Sequence, residues 1–334
     1  MERAFLAPSY FADSVLLYER LIPVAQGSSS VSSAGDSTGT TFSVSPLTNI
    51  STTQLLSIAF PNLPPVAHLN PFVLQGYHYH PEPTACLWIE DANVDTALAA
   101  ASSWPGPVSL VVVTTIEVNT TEYGDLLSRI MSNSSGANIS LHLLRVQSIG
   151  SGSFNAYLNI ARFFAQTSLV VLFPEGLPEK HQEHWFSNLP TRTSHPVILS
   201  NVTQKTFSLK PFAVVTLPRD YPIWCTERFF LFGSRALDWE DCLWQMWLET
   251  AGDMSSIAIP NLFDNIRNTL ASPVSPQALK ARRRWGNKYR MEACTLSSKR
   301  SQTIDPSTKI EKRRMQWRKR FCRETLDTAA TDLF

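Results

Sequence analysis

The feature that most constrains the fold is a series of short apolar runs between residues 85 and 173 that alternate with helix-like segments. The runs are ACLWI (85–89), VSLVVVTT (108–115), SLHLLRV (140–146) and LVVLF (169–173). Because they lack a regular alternation of polar and apolar residues, both faces of each strand are expected to be covered. The intervening segments predict helices at 93–104, 121–132 and 154–167. This order predicts an α/β domain with a mostly parallel sheet flanked by helices.

Composition divides the chain into three parts. Residues 27–53 are rich in Ser, Thr and Gly and predict a flexible linker within an N-terminal segment, 1–83. The α/β pattern begins at residue 84 and predicts a central domain that extends to 279. Residues 280–323 hold 16 basic and 3 acidic residues, whereas residues 1–279 hold 13 basic and 22 acidic ones. The last part, 280–334, is therefore predicted to be a basic helical tail.

A strong amphipathic pattern predicts one more helix at 235–253. Its apolar stripe consists of Trp239, Cys242, Leu243, Met246 and Trp247. Asp238 is expected to be the N-cap and Gly252 the C-terminal stop. Glu240 and Asp241 would then lie in the first turn, where the helix dipole favours carboxylates, and we expect them to be structural.

The tail permits two interpretations. Trp285, Tyr289, Trp317 and Phe321 are interleaved with its basic clusters, a composition that suits nucleic acid or an anionic membrane surface. Alternatively, the basic residues are the solvated face of helices whose aromatic side chains dock onto the acidic body. We favour the second interpretation and expect no nucleic-acid partner.

Several function classes are disfavoured by missing patterns. No run approaches the roughly 18 apolar residues of a transmembrane helix, and the N-terminus is a poor signal peptide. We therefore expect membrane association only through a segment absent from this chain. The five cysteines form no CxxC pair, which predicts buried free thiols rather than a zinc site or disulfides. Walker, GxGxxG, HExxH and GxSxG motifs are also missing.

Three stretches carry a resemblance to one family. WPGPVSLVVV (104–113), NAYLNIARFFAQTSLVVLF (155–173) and CTERFFLFG (225–233) resemble, in order and spacing, glycosyltransferases of family 49. That family includes the enzymes that add glucuronic acid and xylose to dystroglycan. The block WCTERFFLFGSRALDWEDCLWQMWLE (224–249) is similar to its large fungal group. The resemblance covers residues 84–255 and implies a GT-A fold and a Golgi or ER lumen location.

The resemblance also implies a donor site. In the family, a DxD motif after the fourth strand holds Mn²⁺ or Mg²⁺ and, through the metal, the diphosphate of a nucleotide sugar. Here the stretch LVVLFPEGLP (169–178) places Pro174 and Gly176 on the two aspartate positions and leaves Glu175 between them. Glu175 is therefore the candidate donor and metal ligand. Because proline and glycine side chains offer no oxygen ligands, the sequence leaves open whether a metal binds.

A second element of the resemblance is the Glu-Arg-Phe sequence at 227–229. The resemblance implies that Glu227 lies near the acceptor and is the catalytic base of an inverting transfer. The alternative is a structural, partly buried Glu227 paired with Arg228 or Arg235. Arg228 would bind a donor phosphate or buttress the loop.

Three polar residues precede the fourth strand on one helical face. Asn155, Asn159 and Arg162 are spaced i, i+4 and i+7, and are candidates for binding the donor or for structural hydrogen bonds. The favoured function is transfer of a sugar from a nucleotide-sugar donor to a glycan or glycoprotein acceptor. The alternative is a non-catalytic GT-A-like domain that binds a glycan or a protein. A third class, association with nucleic acid through the tail, is less favoured.

Overall fold

The fold is known from a computed structural model that describes most of the central and C-terminal parts of the chain. The described residues are 68–76, 82–133, 138–149, 154–177, 189–190, 193–200, 207, 212–227, 235–259, 275–303 and 308–331. The chain divides into two units, Met1–Pro61 and Asn62–Phe334, and every described residue belongs to the second. The predicted linker at 27–53 and Arg228 lie outside the described residues.

Eight described strands form a single mixed sheet. They are β1 (His68–Leu74), β2 (Thr84–Glu90), β3 (Val108–Thr114), β4 (Ile139–Arg145), β5 (Leu169–Leu172), β6 (Val197–Ser200), β7 (Val214–Pro218) and β8 (Ser255–Ala258). Their order in the sheet is β1-β4-β3-β2-β5-β7-β6-β8. Strands β4, β3, β2 and β5 are mutually parallel, while β1 and β7 run antiparallel to their neighbours in this block. The predicted α/β class with a mostly parallel sheet is confirmed.

Six described helices accompany the sheet. They are α1 (Val94–Ser102), α2 (Thr121–Asn133), α3 (Phe154–Phe163), α4 (Arg235–Glu249), α5 (Pro276–Thr303) and α6 (Lys309–Thr331). Helices α1 and α2 share a core with one face of the sheet, to which β3 contributes Val108, Leu110 and Val112. The opposite face meets α3, where the Ser109 hydroxyl donates to the Ala161 carbonyl at 2.6 Å. Coverage of both faces explains why all seven residues of β3 are buried.

The edge strand β1 was not predicted. It contains Pro71, which cannot donate a backbone hydrogen bond and weakens a strand pattern. It pairs antiparallel with β4, with His68 opposite Arg145, and the sequence-based boundary at residue 83 had separated it from the sheet. Most of its residues are exposed, as expected for a strand with only one neighbour in the sheet.

Helix α4 confirms the amphipathic pattern but corrects its N-terminal cap. The helix includes Arg235, so Asp238 lies in its first turn, and Glu240 and Asp241 lie beyond that turn. At the other end the prediction is right, since the Gly252 amide donates to the Trp247 carbonyl at 2.9 Å and Gly252 has a positive φ of 77°.

Helices α5 and α6 occupy the region predicted as the tail. They share a small buried core with α4 that contains Trp244 and Leu248. Phe321 of α6 packs against this core and stacks on Trp244 with ring centroids 5.8 Å apart. Helix α5 begins at Pro276, before the predicted boundary at residue 280. Within the described residues, no helix is both long and apolar enough to cross a membrane.

The prediction of free thiols is wrong for four of the five cysteines. Cys225 forms a disulfide with Cys242 on α4, and Cys294 on α5 forms one with Cys322 on α6. The paired Cα atoms are 5.3 and 5.6 Å apart, although the partners are 17 and 28 residues apart in sequence. Cys86 alone is free, and it is buried. Tertiary packing decides these pairs, and spacing along the chain gave no sign of them.

We predict a thiol count that distinguishes the two pairings from free cysteines. The unfolded, unreduced chain should react with a thiol reagent at one site, Cys86, and the reduced chain at five. Alkylation followed by peptide mass mapping gives both numbers. Five reactive thiols before reduction would contradict the structure.

A buried histidine lies between the sheet and α3. The Phe72 amide donates to Nδ1 of His142 at 3.0 Å, and Nε2 lies 3.3 Å from the Ser109 hydroxyl. Since Nδ1 accepts, the ring is neutral with its proton on Nε2. Burial lowers the pKa of His142 to about 3.

This shift predicts acid sensitivity. Below a pH of about 6.5 the unfolded chain protonates His142 and the folded chain does not, so stability is lost as the pH falls. The loss is about 1.4 kcal/mol per pH unit between pH 6 and 4. His142→Gln keeps a donor and an acceptor and should remove this part of the pH dependence in urea unfolding. Parallel pH profiles for the variant and the wild type would exclude the assignment.

Candidate functional site

The candidate site lies at the carboxyl edge of the parallel strands. Glu175 sits in the turn that follows β5, where the Gly176 amide donates to the Phe173 carbonyl at 3.3 Å and Gly176 has a positive φ of 85°. A left-handed conformation of this kind favours glycine, which accounts for this residue in the turn. Open α/β sheets bind their ligands at this edge.

The structure brings Glu175 and Glu227 to the same guanidinium. Nη1 of Arg235, the first described residue of α4, lies 2.8 Å from Oε1 of Glu175, and its Nε lies 3.8 Å from Oε1 of Glu227. Nη2 also donates to the Pro174 carbonyl. The side chains are 7%, 4% and 4% exposed for Arg235, Glu175 and Glu227, so this is a buried cluster. We call these three residues the Arg235 cluster.

Aromatic rings surround the guanidinium. Its Cζ lies 4.8 Å from the ring centroid of Phe212, 5.4 Å from that of Phe154 and 5.7 Å from that of Trp88. This surround removes water and disfavours charge, so burial raises the pKa of Glu175 and lowers the pKa of Arg235, while their ion pair opposes both shifts. The cluster contains two carboxyl groups and one guanidinium.

Glu227 also caps the start of α3. Its Oε1 accepts the backbone amide of Asn155 at 3.2 Å, at a helix end where a carboxylate is favoured. The Asn155 side chain is fully buried beside it, and neither its Oδ1 nor its Nδ2 has a hydrogen-bond partner. A buried amide of this kind has a strong need for a polar partner such as water or a ligand.

Asn159 and Arg162 hold the segment that carries Glu227. Nδ2 of Asn159 donates to the Cys225 carbonyl at 2.7 Å, and Arg162 donates to the carbonyls of Arg219 at 2.8 Å and of Ile223 at 2.7 Å. Arg162 also lies over the Trp224 ring at 4.2 Å from its centroid. These contacts are with the chain itself, so both side chains position Glu227 from α3.

A second charged cluster links α4 to α5. Arg282 pairs with Asp238 at 2.9 Å and with Asp241 at 2.6 Å, and Arg290 pairs with Asp241 at 2.8 Å and Glu240 at 3.0 Å. Burial is the main cause that raises the pKa of Asp238 to about 7, and Arg282 opposes it. The expectation that Glu240 and Asp241 are structural agrees with these pairs. An adjoining cavity of about 10 Å³ has room for one water molecule.

The residues at the Pro-Glu-Gly corner do not fit a divalent cation. Glu175 is the single carboxylate of the corner, and it already pairs with the guanidinium of Arg235, whose charge would repel a metal ion. Across the described part of the chain, no group of three or more His, Cys, Asp or Glu side chains is arranged to hold a metal. The positive charge at this corner is therefore the guanidinium of Arg235.

Arg235 is the candidate site residue whose importance the sequence did not indicate. It entered only as one possible partner of Glu227, because nothing in the sequence indicates that α4 starts beside the turn after β5. The position of Arg235 at the beginning of a strongly amphipathic helix is the one available signal. Arg228, the other predicted partner, lies outside the described residues.

Comparisons with family models, curated proteins and solved structures found no match. The resemblance to glycosyltransferase family 49 therefore stays a prediction from the sequence.

We predict that Arg235→Met destabilises the protein strongly. The change withdraws the guanidinium from two buried carboxylates, and losing one partner of a buried ion pair costs about 3–5 kcal/mol. The double variant Arg235→Met with Glu175→Gln should recover part of this loss, since one buried charge is then removed. Urea unfolding measures each value.

Arg129→Met is the matched control. Arg129 pairs with Asp95 at 2.7 Å, but their side chains are 44% and 50% exposed. An exposed pair contributes at most about 1 kcal/mol. Equal losses for the two arginines would show that the Arg235 cluster is not a buried network.

Proposed function

We propose that the chain is an inverting glycosyltransferase that binds the diphosphate of a nucleotide-sugar donor through Arg235 rather than through a metal ion. The observation that supports this is the convergence of Glu175 and Glu227 on Arg235 at the ligand-binding edge of the sheet. The acceptor would be a glycan or a glycoprotein. The GT-A fold is part of this proposal.

Arg235 has the chemistry that donor binding requires. A guanidinium presents two parallel N–H groups to phosphate oxygens, and in a water-poor site its charge interacts strongly with a diphosphate. In the structure the Glu175 carboxylate accepts a hydrogen bond from this guanidinium. Burial raises the pKa of the Glu175 carboxyl. Protonation of Glu175 as the donor arrives would release the guanidinium to the diphosphate.

Glu227 would act as the base. The acceptor hydroxyl gives its proton to the Glu227 carboxylate as its oxygen forms a bond to the anomeric carbon. The bond between that carbon and the phosphate oxygen breaks, and the nucleoside diphosphate leaves with the electron pair. Asn155, whose side-chain amide has no hydrogen-bond partner and whose backbone amide donates to Glu227, would bind a sugar hydroxyl or the donor.

One observation favours a second function. All three side chains of the Arg235 cluster are at most 7% exposed, and both carboxylates already pair with the guanidinium, as in a purely structural ion cluster. Under this alternative, the domain is a non-catalytic GT-A-like module that binds a glycan or a protein.

The proposed compartment is the lumen of the Golgi or ER. Disulfides persist in oxidising compartments and are rare in the cytosol. The two pairs, Cys225 with Cys242 and Cys294 with Cys322, support this location.

Calorimetric titration with nucleoside diphosphate sugars tests the proposal. We expect the wild type to bind with the same affinity in Mn²⁺ and in EDTA, and Arg235→Lys to bind about tenfold more weakly, because an ammonium cannot make the bidentate contact. Binding that requires Mn²⁺ would contradict the metal-free donor site. If no sugar nucleotide binds, the non-catalytic alternative replaces the proposal.

Glu227→Gln separates binding from chemistry. The amide is the same size and can still accept the Asn155 amide hydrogen bond, so we expect a folded protein with unchanged donor affinity. Transfer or slow donor hydrolysis should fall by about 10²–10⁴-fold, as for loss of a general base. Full activity in this variant would exclude Glu227 as the base.

A further inference from the structure

The outward face of α5 combines exposed apolar and basic side chains. Trp285, Met291 and Leu296 are 39%, 41% and 40% exposed. Arg284 and Lys288 are exposed between them. Residues 284, 285, 288, 291 and 296 follow helical spacing and so lie on one side of the helix. Of the seven large apolar side chains exposed in the described residues, four lie on α5 or α6.

The opposite face of α5 is anchored and cannot turn outward. Arg282 is 1% exposed and pairs with Asp238 and Asp241 of α4. The Tyr289 hydroxyl donates to Oε1 of Gln245 at 2.5 Å, and Cys294 is joined to α6 by its disulfide. The exposed face is therefore held in a fixed orientation toward solvent.

The charge around this face is strongly positive. The exposed basic residues of the two helices are Lys280, Arg283, Arg284, Lys288, Lys309, Lys312, Arg313, Lys319, Arg320 and Arg323. The exposed acidic residues in their described side chains are Glu311 and Glu324. On the α5 face itself, the partly exposed Glu292 lies 4.0 Å from Lys288. Together the two helices expose ten cations and two acids, a balance of charge that favours an anionic partner.

We propose that this face of α5 binds the surface of an anionic phospholipid bilayer. Basic side chains are attracted to lipid phosphates, and apolar side chains on the same helical face enter the boundary between headgroups and acyl chains. Trp285, whose ring centroid is 5.3 Å from Nζ of Lys288, has the amphipathic character favoured at that boundary.

The apolar residues decide between a membrane and a polyanion. A nucleic acid or an acidic polysaccharide would use the cations and could stack on Trp285, but it has no apolar layer for Met291 and Leu296. A bilayer satisfies all five residues of the face. The binding would be peripheral and is independent of the proposed transfer reaction. Because the strongly anionic leaflet of cellular membranes is the cytoplasmic one, this proposal and the luminal location proposed above are mutually exclusive alternatives.

Vesicle co-sedimentation of the full chain tests the proposal. The probes are vesicles of phosphatidylcholine alone and of phosphatidylcholine with 30% phosphatidylserine, a fraction of roughly one anionic lipid in three, chosen to attract basic side chains. We expect binding to the anionic vesicles only, and weaker binding in high salt because exposed charges are screened. Equal binding to both vesicles, or binding to neither, would overturn the proposal.

Two variants separate the apolar and the charged contributions. The triple variant Trp285→Ser, Met291→Ser and Leu296→Ser should lose at least about tenfold in vesicle affinity by giving up its apolar contacts. The pair Arg284→Gln and Lys288→Gln should lose about thirtyfold, since each basic residue near an anionic surface contributes roughly a factor of five. All five positions are exposed, so thermal unfolding should change little.

Matched controls use exposed apolar residues elsewhere. Val118 and Met131 are 37% and 55% exposed, and their replacement by serine should leave vesicle binding unchanged. One contrary outcome is that the triple serine variant binds vesicles like the wild type. Another is that a phosphorothioate oligonucleotide or heparin competes with vesicles for the wild type and binds more tightly. Either result would identify a general polyanion surface and overturn the membrane proposal.

Discussion

The buried guanidinium of Arg235 is the contact on which the candidate site depends. It joins the turn after β5, the segment that contains Glu227, and the first described residue of α4; Glu175 and Arg235 are 60 residues apart in sequence. Three buried ionisable groups are tolerable only when each faces an opposite charge or a hydrogen-bond partner. If one segment moved away, the charged groups on the other two would stay buried without a partner, which is costly in free energy. The cluster therefore fixes the three segments together.

Much of the surrounding structure supports this contact. Arg162 and Asn159 hold the backbone that leads to Glu227, and the disulfide from Cys225 to Cys242 ties the same segment to α4. On the far side of α4, Arg282 of α5 binds Asp238 and Asp241. The C-terminal helices are thus part of the support of the site, and they also carry exposed basic side chains.

The cluster also changes the chemistry expected of this edge of the sheet. Where the resembled family has two aspartates, this chain has a proline, a glycine and a glutamate engaged by arginine. A fixed guanidinium can neutralise phosphate without a metal, but it is held by a carboxylate that must release it first. If Glu175 releases the guanidinium, the site can bind a donor as the proposed transferase requires. If the cluster stays closed, the non-catalytic alternative applies.

The sequence by itself determined the strands β2 to β5, the helix α4 and the α/β class, because hydrophobic periodicity is local and records which faces are buried. It did not determine β1, whose Pro71 obscures the pattern, nor the strands β6, β7 and β8, nor the cysteine pairs. Only the tertiary structure decided that Arg235 meets both Glu175 and Glu227, and that Asn159 and Arg162 face the backbone. Such long-range contacts depend on how whole elements pack, which no single stretch of sequence encodes.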